Sequence, residues 1–168
     1  MSIIPQKGSI TQLYVLNIHN YCLADKWFLQ VYRKKITNSA LSYVKLQQAY
    51  FSENNQIGGW SLVGYIAPNS GETTNFYYGT GGALNTNSQN ATNVVGWAAD
   101  NKVTLNNCQK GNDVNSANKV GATTAAHWHV LVSVNTSNAA DVKFESVAAN
   151  TTTTAECLAL TPSFTAIK

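Results

Sequence analysis

Charge is what this chain of 168 residues has least of. Asp, Glu, Lys and Arg make up 11% of it, against about 25% in an average soluble domain. Such a deficit accompanies disorder only where apolar residues are also few. Here 44% of the residues are hydrophobic, with four Trp, eight Tyr and five Phe available to a core. Surface helices draw on Glu, Lys and Arg, so a helical bundle or coiled coil is excluded. The Asn, Thr, Ser and Gly that stand in their place suit strands and turns better. Long apolar runs are also missing. No window approaches the roughly 18 apolar residues of a membrane span. Nor does a basic segment, an apolar core and a small-residue cleavage site mark a secretory signal. The length suits one domain.

The few charges are unevenly spread. Residues 1–35 carry Lys7, Lys26, Arg33, Lys34 and Lys35 against Asp25 alone, a balance of +4. Residues 36–168 carry six lysines against seven acids, a balance of −1. The bulk of the chain therefore offers no electrostatic footprint for phosphates, and nucleic acid is excluded as a partner. The compositional break divides the chain into an atypical leader, 1–35, and a globular domain, 36–168. In the leader, Tyr14–Ile18 and Trp27–Tyr32 each fit a strand or a short helix.

From Ile36 the pattern sharpens. Ile36, Ala40, Tyr43, Val44, Tyr50 and Phe51 fall on one helical stripe interrupted by Gln47, with Ser42, Lys45 and Gln48 opposite. Thr37, Asn38 or Ser39 would cap this helix if it starts here rather than continuing from upstream. Asn54, Asn55 and then Gly58-Gly59 end it after about four turns. One apolar face requires something broad and flat beneath it. Trp60–Ile66 is apolar and closes on the turn signal Pro68-Asn69-Ser70-Gly71. Thr73–Tyr78 reads as a short aromatic strand, and Val94–Ala98 with Lys102–Leu105 as a hairpin turning at Asp100-Asn101. Trp128, Val130, Val132 and Val134 alternate with His127, His129, Leu131 and Ser133, the cleanest period of two in the chain. Asn135–Asn138 turns into a strand over Val142–Val147, with Phe144 inward and Asp141, Lys143 and Glu145 on the solvated side. The stretches Asn85–Asn93, Gln109–Thr124 and Asn150–Thr154 read as surface loops. The expected fold is α+β: an N-terminal amphipathic helix packed on an antiparallel β-sheet.

Of the three cysteines, Cys22 lies in the leader. Cys108 and Cys157 lie in the domain, either paired to tie the C-terminal segment to the sheet or as two separate buried thiols. Low charge and Asn/Thr-rich loops favour the pair and an oxidising compartment. Other chemistry is sparse. There is no G-x-S-x-G elbow, no G-x-x-x-x-G-K-[ST] loop and no H-E-x-x-H helix. Gly79-Thr80-Gly81-Gly82 runs into Ala83-Leu84 and reads as a turn. His127 and His129 would share a strand face and could chelate a metal. With no third ligand evident, a solvent-facing pair beside a core Trp is the simpler reading. No catalytic residue, cofactor or metal is expected, and no enzymatic activity. Tyr77, Tyr78 and Trp97 could stack on sugar rings, but core or cross-strand packing is favoured. Asn90, Asn135 and Asn150 head N-x-[ST] triplets, which an Asn/Thr-rich chain produces by chance.

The stretch from Asn38 through Tyr50-Phe51-Ser52-Glu53-Asn54 resembles the second half of the long helix of type IV pilins and pseudopilins, a Ser/Ala-rich helix running into a Tyr-Phe-x-Glu-Asn-like end. Ile57-Gly58-Gly59-Trp60, Val63-Gly64-Tyr65 and Ala67-Pro68 continue the likeness. Lys102-Val103-Thr104-Leu105-Asn106-Asn107-Cys108 and Cys157-Leu158-Ala159-Leu160-Thr161-Pro162-Ser163-Phe164 resemble the Cys-bounded C-terminal region of pilins. The likeness spans about Thr37 to Phe164, and the order of its motifs carries it.

The resemblance implies a pilin-like head and a structural role, as a type IV pilus subunit serving adhesion or motility at the cell surface, reached through the inner membrane and periplasm. Its partners would be other pilin subunits, the assembly machinery and surface glycans. A pseudopilin of a type II secretion system and a secreted carbohydrate-binding β-module are the alternatives. The resemblance also implies a leader of the form Gly-Phe-Thr-Leu-x-Glu followed by about 20 apolar residues, and Lys7-Gly8-Ser9-Ile10-Thr11 is a poor echo of it. As written, residues 1–35 are not expected to enter a membrane or filament normally. A reading-frame slip ahead of the domain, at the Lys34-Lys35 codons, would account for the gap; an unusual natural leader or an engineered replacement is the alternative. Codons for His19-Asn20-Tyr21-Cys22, read one base along, can encode Ile-Ile-Ile-Val.

Overall fold

The computed structural model describes residues 10–80, 91–111, 114–115, 119–120, 126–135, 141–148 and 154–168, with side chains for 30–80, 91–111, 126–135, 141–148 and 156–168. Ile10–Asn54 form one continuous helix, α1, of 45 residues. The compositional break at 35/36 thus falls inside a helix, and Tyr14–Ile18 and Trp27–Tyr32 are both helical. The stripe behaves as its spacing requires. Ile36, Ala40, Tyr43, Val44 and Phe51 are buried, Tyr50 is half-buried, and Ser42, Lys45 and Gln48 face solvent. Helix continuity leaves Thr37, Asn38 and Ser39 with no end to cap. The Ser39 hydroxyl instead meets Tyr65 Oη at 2.6 Å. Gln47 is buried within the stripe. With its amide turned to satisfy both ends, it donates to the Gly58 carbonyl at 2.9 Å and accepts from the Gly58 N–H at 3.0 Å. Asn55 stops the helix in the left-handed region, φ 52°, with its N–H on the Phe51 carbonyl at 2.8 Å.

A single helical turn, α2 (Trp60–Val63), follows. The chain then reverses at Pro68–Gly71, where Asn69 and Ser70 both take positive φ, as the turn signal in the sequence anticipated. The strands are β1 (Phe76–Gly79), β2 (Val94–Asn101), β3 (Val114–Asn115), β4 (Lys119–Val120), β5 (Trp128–Val134) and β6 (Val142–Ala148). Helix α3 (Thr154–Leu160) precedes the C-terminal segment. Four strands form one antiparallel sheet in the order β1-β2-β5-β6, and β3 pairs with β4 in a small ribbon. The fold is α+β, one helix laid on a four-stranded antiparallel sheet. No helix among the described residues is long and apolar enough to cross a membrane.

Two expectations are corrected. Val94–Ala98 and Lys102–Leu105 do not form a hairpin. β2 runs straight through Asp100-Asn101 and pairs with β1 and β5. These residues are turn formers by type, but both are fully buried and bonded within the domain. The stretch 109–124, expected as a loop, contains the β3–β4 ribbon. The expected loops at 85–90 and 150–153, most of the turn at 136–138 and the Gly81-Gly82 end of a turn lie outside the described residues.

The core lies between α1 and the sheet. Registers Trp97↔Val130, Ala99↔Trp128 and Val132↔Phe144 put these side chains on the buried face. Burying 150–250 Å² of an indole contributes roughly 4–6 kcal/mol before entropy is counted. Here both indole N–H groups are also bonded, Trp97 to Tyr65 Oη at 2.9 Å and Trp128 to Thr161 Oγ1 at 2.7 Å. The β2–β5 register slips between Val95 and Trp97. A Cβ on the intervening Gly96 would lie 2.0 Å from Tyr43 Oη and 2.7 Å from Val132 Cγ2. Glycine is therefore what lets α1 approach the sheet. The Gly96 carbonyl, freed by the bulge, accepts from Trp60 Nε1 at 2.8 Å.

Candidate functional site

The densest group of chemistry-bearing side chains sits at one end of the sheet. β2 closes with Asp100-Asn101, and the Ala99↔Trp128 register brings His127, just ahead of β5, alongside them. Asn101 Nδ2 donates to the carbonyls of Val103 (2.8 Å), Cys108 (3.2 Å) and Gln109 (2.8 Å). That fixes the amide so that Oδ1 faces His127 Nδ1 at 2.7 Å. Asp100 Oδ1 lies 2.8 Å from the same nitrogen and also accepts the Asn101 N–H. Both neighbours of Nδ1 are acceptors, so Nδ1 carries the ring proton. Asp100 is fully buried, yet its Oδ2 has no hydrogen-bond partner. Gly111 closes over the carboxylate, where a Cβ would lie 1.9 Å from Asp100 Cγ.

Cys108 and Cys157 are joined in a disulfide beside this group, tying α3 to the segment after β2. The sequence favoured this pairing over two separate thiols. Cys108 Sγ is 3.9 Å from His127 Nδ1. The donor atoms of Cys108, Cys157 and His127 lie within 4.8 Å of one another, all buried. Asp100 and Asn101 escaped the sequence reading because an Asp-Asn pair signals a turn. An unbroken apolar run from Val94 to Ala99 was the one hint that the strand continues.

The histidines do not form the solvent-facing pair expected. His127 is 4% and His129 3% exposed, and they take different partners. His129 Nδ1 meets the Ala126 carbonyl at 3.1 Å, and burial lowers its pKa, which keeps the ring neutral. Tyr78 and Trp97 are core residues, as favoured, so neither can stack on a sugar. Tyr77 is half-buried under Lys102 Nζ, 4.8 Å from its ring centroid, and Lys102 also pairs with Glu72. Asp141, Lys143 and Glu145 are exposed and Phe144 is buried, as the alternation required. Asn135 gives its backbone N–H to Asp141. Asn90, Asn150 and the Cys22 side chain lie outside the described residues.

A second feature is a groove of about 340 Å³ along the solvent side of α1, lined by Lys34, Lys35, Asn38, Tyr65, Ile66 and Pro68 among others. Ile66 is 84% exposed. No protein-family model, curated protein or solved structure matches this chain.

Proposed function

We propose that the chain is a non-enzymatic structural subunit of a type IV pilus-type filament at the cell surface, with residues 36–168 as its pilin-like head. The observation that carries the reading is the mismatch between α1 and its support. At 1.5 Å per residue, 45 residues make a rod of roughly 68 Å. The longest strand, eight residues, reaches about 27 Å. Among the described side chains, the core residues that α1 supplies run from Ile36 to Phe51, flanked by Tyr32. The overhang is made by residues 10–35, where the shifted frame would put an apolar helix. A helix of that reach in that place suits a subunit whose head is carried on a stem that packs against stems of other copies. The disulfide-tied C-terminal segment, in the place the resemblance gave it, adds support. The sugar-binding alternative has little, since two of its three candidate aromatics are buried.

The test has two arms. Sequencing the gene through and upstream of the Lys34-Lys35 codons is expected to find Gly-Phe-Thr-Leu-x-Glu and an apolar helix in a shifted frame. Antibodies against the folded head are expected to label filaments sheared from the cell surface. Unlabelled filaments on cells that make the chain, with no such segment in any frame, would overturn the proposal.

A further inference from the structure

We propose that the Cys108–Cys157 centre has a second, reduced state that binds one divalent ion of the zinc class, held by Cys108, Cys157 and His127 beside the buried Asp100 carboxylate. The site goes beyond the filament role and does not depend on it. Three donors of the right chemistry, two sulfurs and an imidazole nitrogen, lie within 4.8 Å of one another, and the Asp100 carboxylate lies against the same imidazole. The Cys108 Sγ to His127 Nδ1 separation of 3.9 Å is close to the edge of a tetrahedral zinc site. Metal distances of 2.3 Å to sulfur and 2.0–2.1 Å to nitrogen put such edges at about 3.5–3.8 Å.

The independent observation is Asp100 Oδ2, an oxygen with no partner on a side chain with no exposed surface. Such an oxygen forgoes its hydration without compensation, and a cation would supply what is missing. Asn101, pinned by three backbone carbonyls, accepts from His127 Nδ1 in the oxidised state, a bond given up when the metal takes Nδ1.

The chemistry balances with a dithiol reductant. It attacks the disulfide, passes two electrons and two protons to Cys108 and Cys157, and leaves as a cyclic disulfide. Metal entry then releases the two thiol protons to solvent. The His127 proton moves from Nδ1 to Nε2, freeing Nδ1 as a ligand. Reoxidation by a disulfide oxidant, which takes two electrons from the thiolates and two protons from solvent and leaves as two thiols, reforms Cys108–Cys157 and expels the ion, so the two states exclude each other.

The experiment uses the full chain, reduced anaerobically with a phosphine that does not bind metal, and cobalt(II) as probe. One equivalent is expected to give thiolate-to-cobalt charge-transfer absorption and the intense visible bands of a tetrahedral site, both erased by zinc. The oxidised chain and Cys157→Ser should give neither. His127→Gln and Asp100→Asn, checked for folding in the oxidised form, should weaken binding by at least the roughly 10–100-fold that outer partners of metal sites contribute. A folded reduced chain without these bands overturns the proposal. So does binding that both variants leave unchanged, since two thiols alone would then be taking up the metal. If reduction unfolds the chain, zinc should restore its near-ultraviolet circular dichroism, and failure to do so also overturns it.

Discussion

Tyr43→Phe removes one oxygen from the contact that α1 makes over Gly96 of the sheet, and it should stabilise the protein. The Tyr43 hydroxyl is buried with no hydrogen-bond partner. It sits over Gly96, close enough that a single methyl there would collide with it. A buried hydroxyl without a partner costs about 1–3 kcal/mol. Its removal leaves the ring in place, including the edge-to-face contact with Tyr65 at 5.7 Å. Allowing for the small void, the expected gain is about 1 kcal/mol, a rise in Tm of about 2–4 °C for a chain of this size. A second readout comes from alkaline pH. Burial raises the pKa of Tyr43 well above its ordinary value of 10, and burial does the same for Tyr65 and Tyr78. In the unfolded chain these phenols ionise near pH 10, while the folded chain keeps their protons. Above pH 10 the unfolded state therefore binds fewer protons, and stability falls as pH rises. Below pH 10 the three phenols are neutral in both states and make no pH-dependent difference. A tyrosine that keeps its proton in the folded chain throughout, as Tyr43 does, steepens the loss by about 1.4 kcal/mol per pH unit, so Tyr43→Phe should make it shallower by about that amount. Urea unfolding at pH 7 and across pH 9–11.5 reads both effects. A variant less stable by 1 kcal/mol or more at pH 7, with an unchanged alkaline slope, would refute the reasoning and mean that the hydroxyl is bonded in solution.

Three further predictions concern Gly96, the disulfide and Asn101. Gly96→Ala should cost about 3 kcal/mol or more in chemical denaturation, because the new methyl meets Tyr43 and Val132 rather than open space. Combining it with Tyr43→Phe should recover part of that loss, and strict additivity would show that the two sites do not touch. The double change Cys108→Ser with Cys157→Ser opens a loop spanning a sequence separation of 49, which the chain-entropy model values at about 4 kcal/mol; an unfolding midpoint that does not move would count against it. Asn101→Asp keeps the shape but turns the donor of three bonds into a carboxylate facing three carbonyls. It should destabilise by more than about 3 kcal/mol at pH 7. The loss should shrink as pH falls, because the introduced carboxyl, its pKa raised by that setting, regains a proton. A pH profile parallel to the parent's between pH 4 and 7 would refute this.

The sequence was most legible where one periodicity acts alone. β5 alternates from Trp128 to Val134 without interruption, and the stripe from Ile36 to Phe51 repeats every three or four residues. Both elements lie where their patterns put them. The start of α1 was illegible for the opposite reason. Residues 10–35 carry no sustained period, so nothing in them distinguishes a helix interior from a boundary at 36. Gln47 looked like a break in the apolar stripe and is instead its hydrogen-bonded member, because its amide meets the Gly58 backbone where the chain doubles back. Asp100 and Asn101 misled more seriously. Local chemistry favours them in turns. Pairing with β1 together with contacts to His127, Cys108, Gln109 and Gly111, none of which a local pattern reveals, keeps them in a buried strand. The candidate site was legible as two cysteines and a histidine, but not as one place.

How the C-terminal segment is fastened decides whether opening the disulfide can be a local event. The bond is one of several ties. Trp128 Nε1 donates to Thr161 Oγ1. The Ser146 hydroxyl, buried on β6, shares its proton between the Phe164 and Ile167 carbonyls. Arg33 on α1 reaches the Leu160 carbonyl at 3.0 Å and the Ala159 carbonyl at 3.3 Å, where a cation also suits the C-terminal end of α3. Leu160, Phe164 and Ile167 add buried apolar surface, at roughly 1.5–3 kcal/mol for each fully buried side chain. Together these ties are comparable to the loop-closure contribution of the bridge itself. Reduction should therefore weaken the domain without releasing the segment, and keep both sulfurs near His127 and Asp100. A disulfide that alone held the tail would lose Cys157 on reduction, whereas this one leaves it in reach of its former partner.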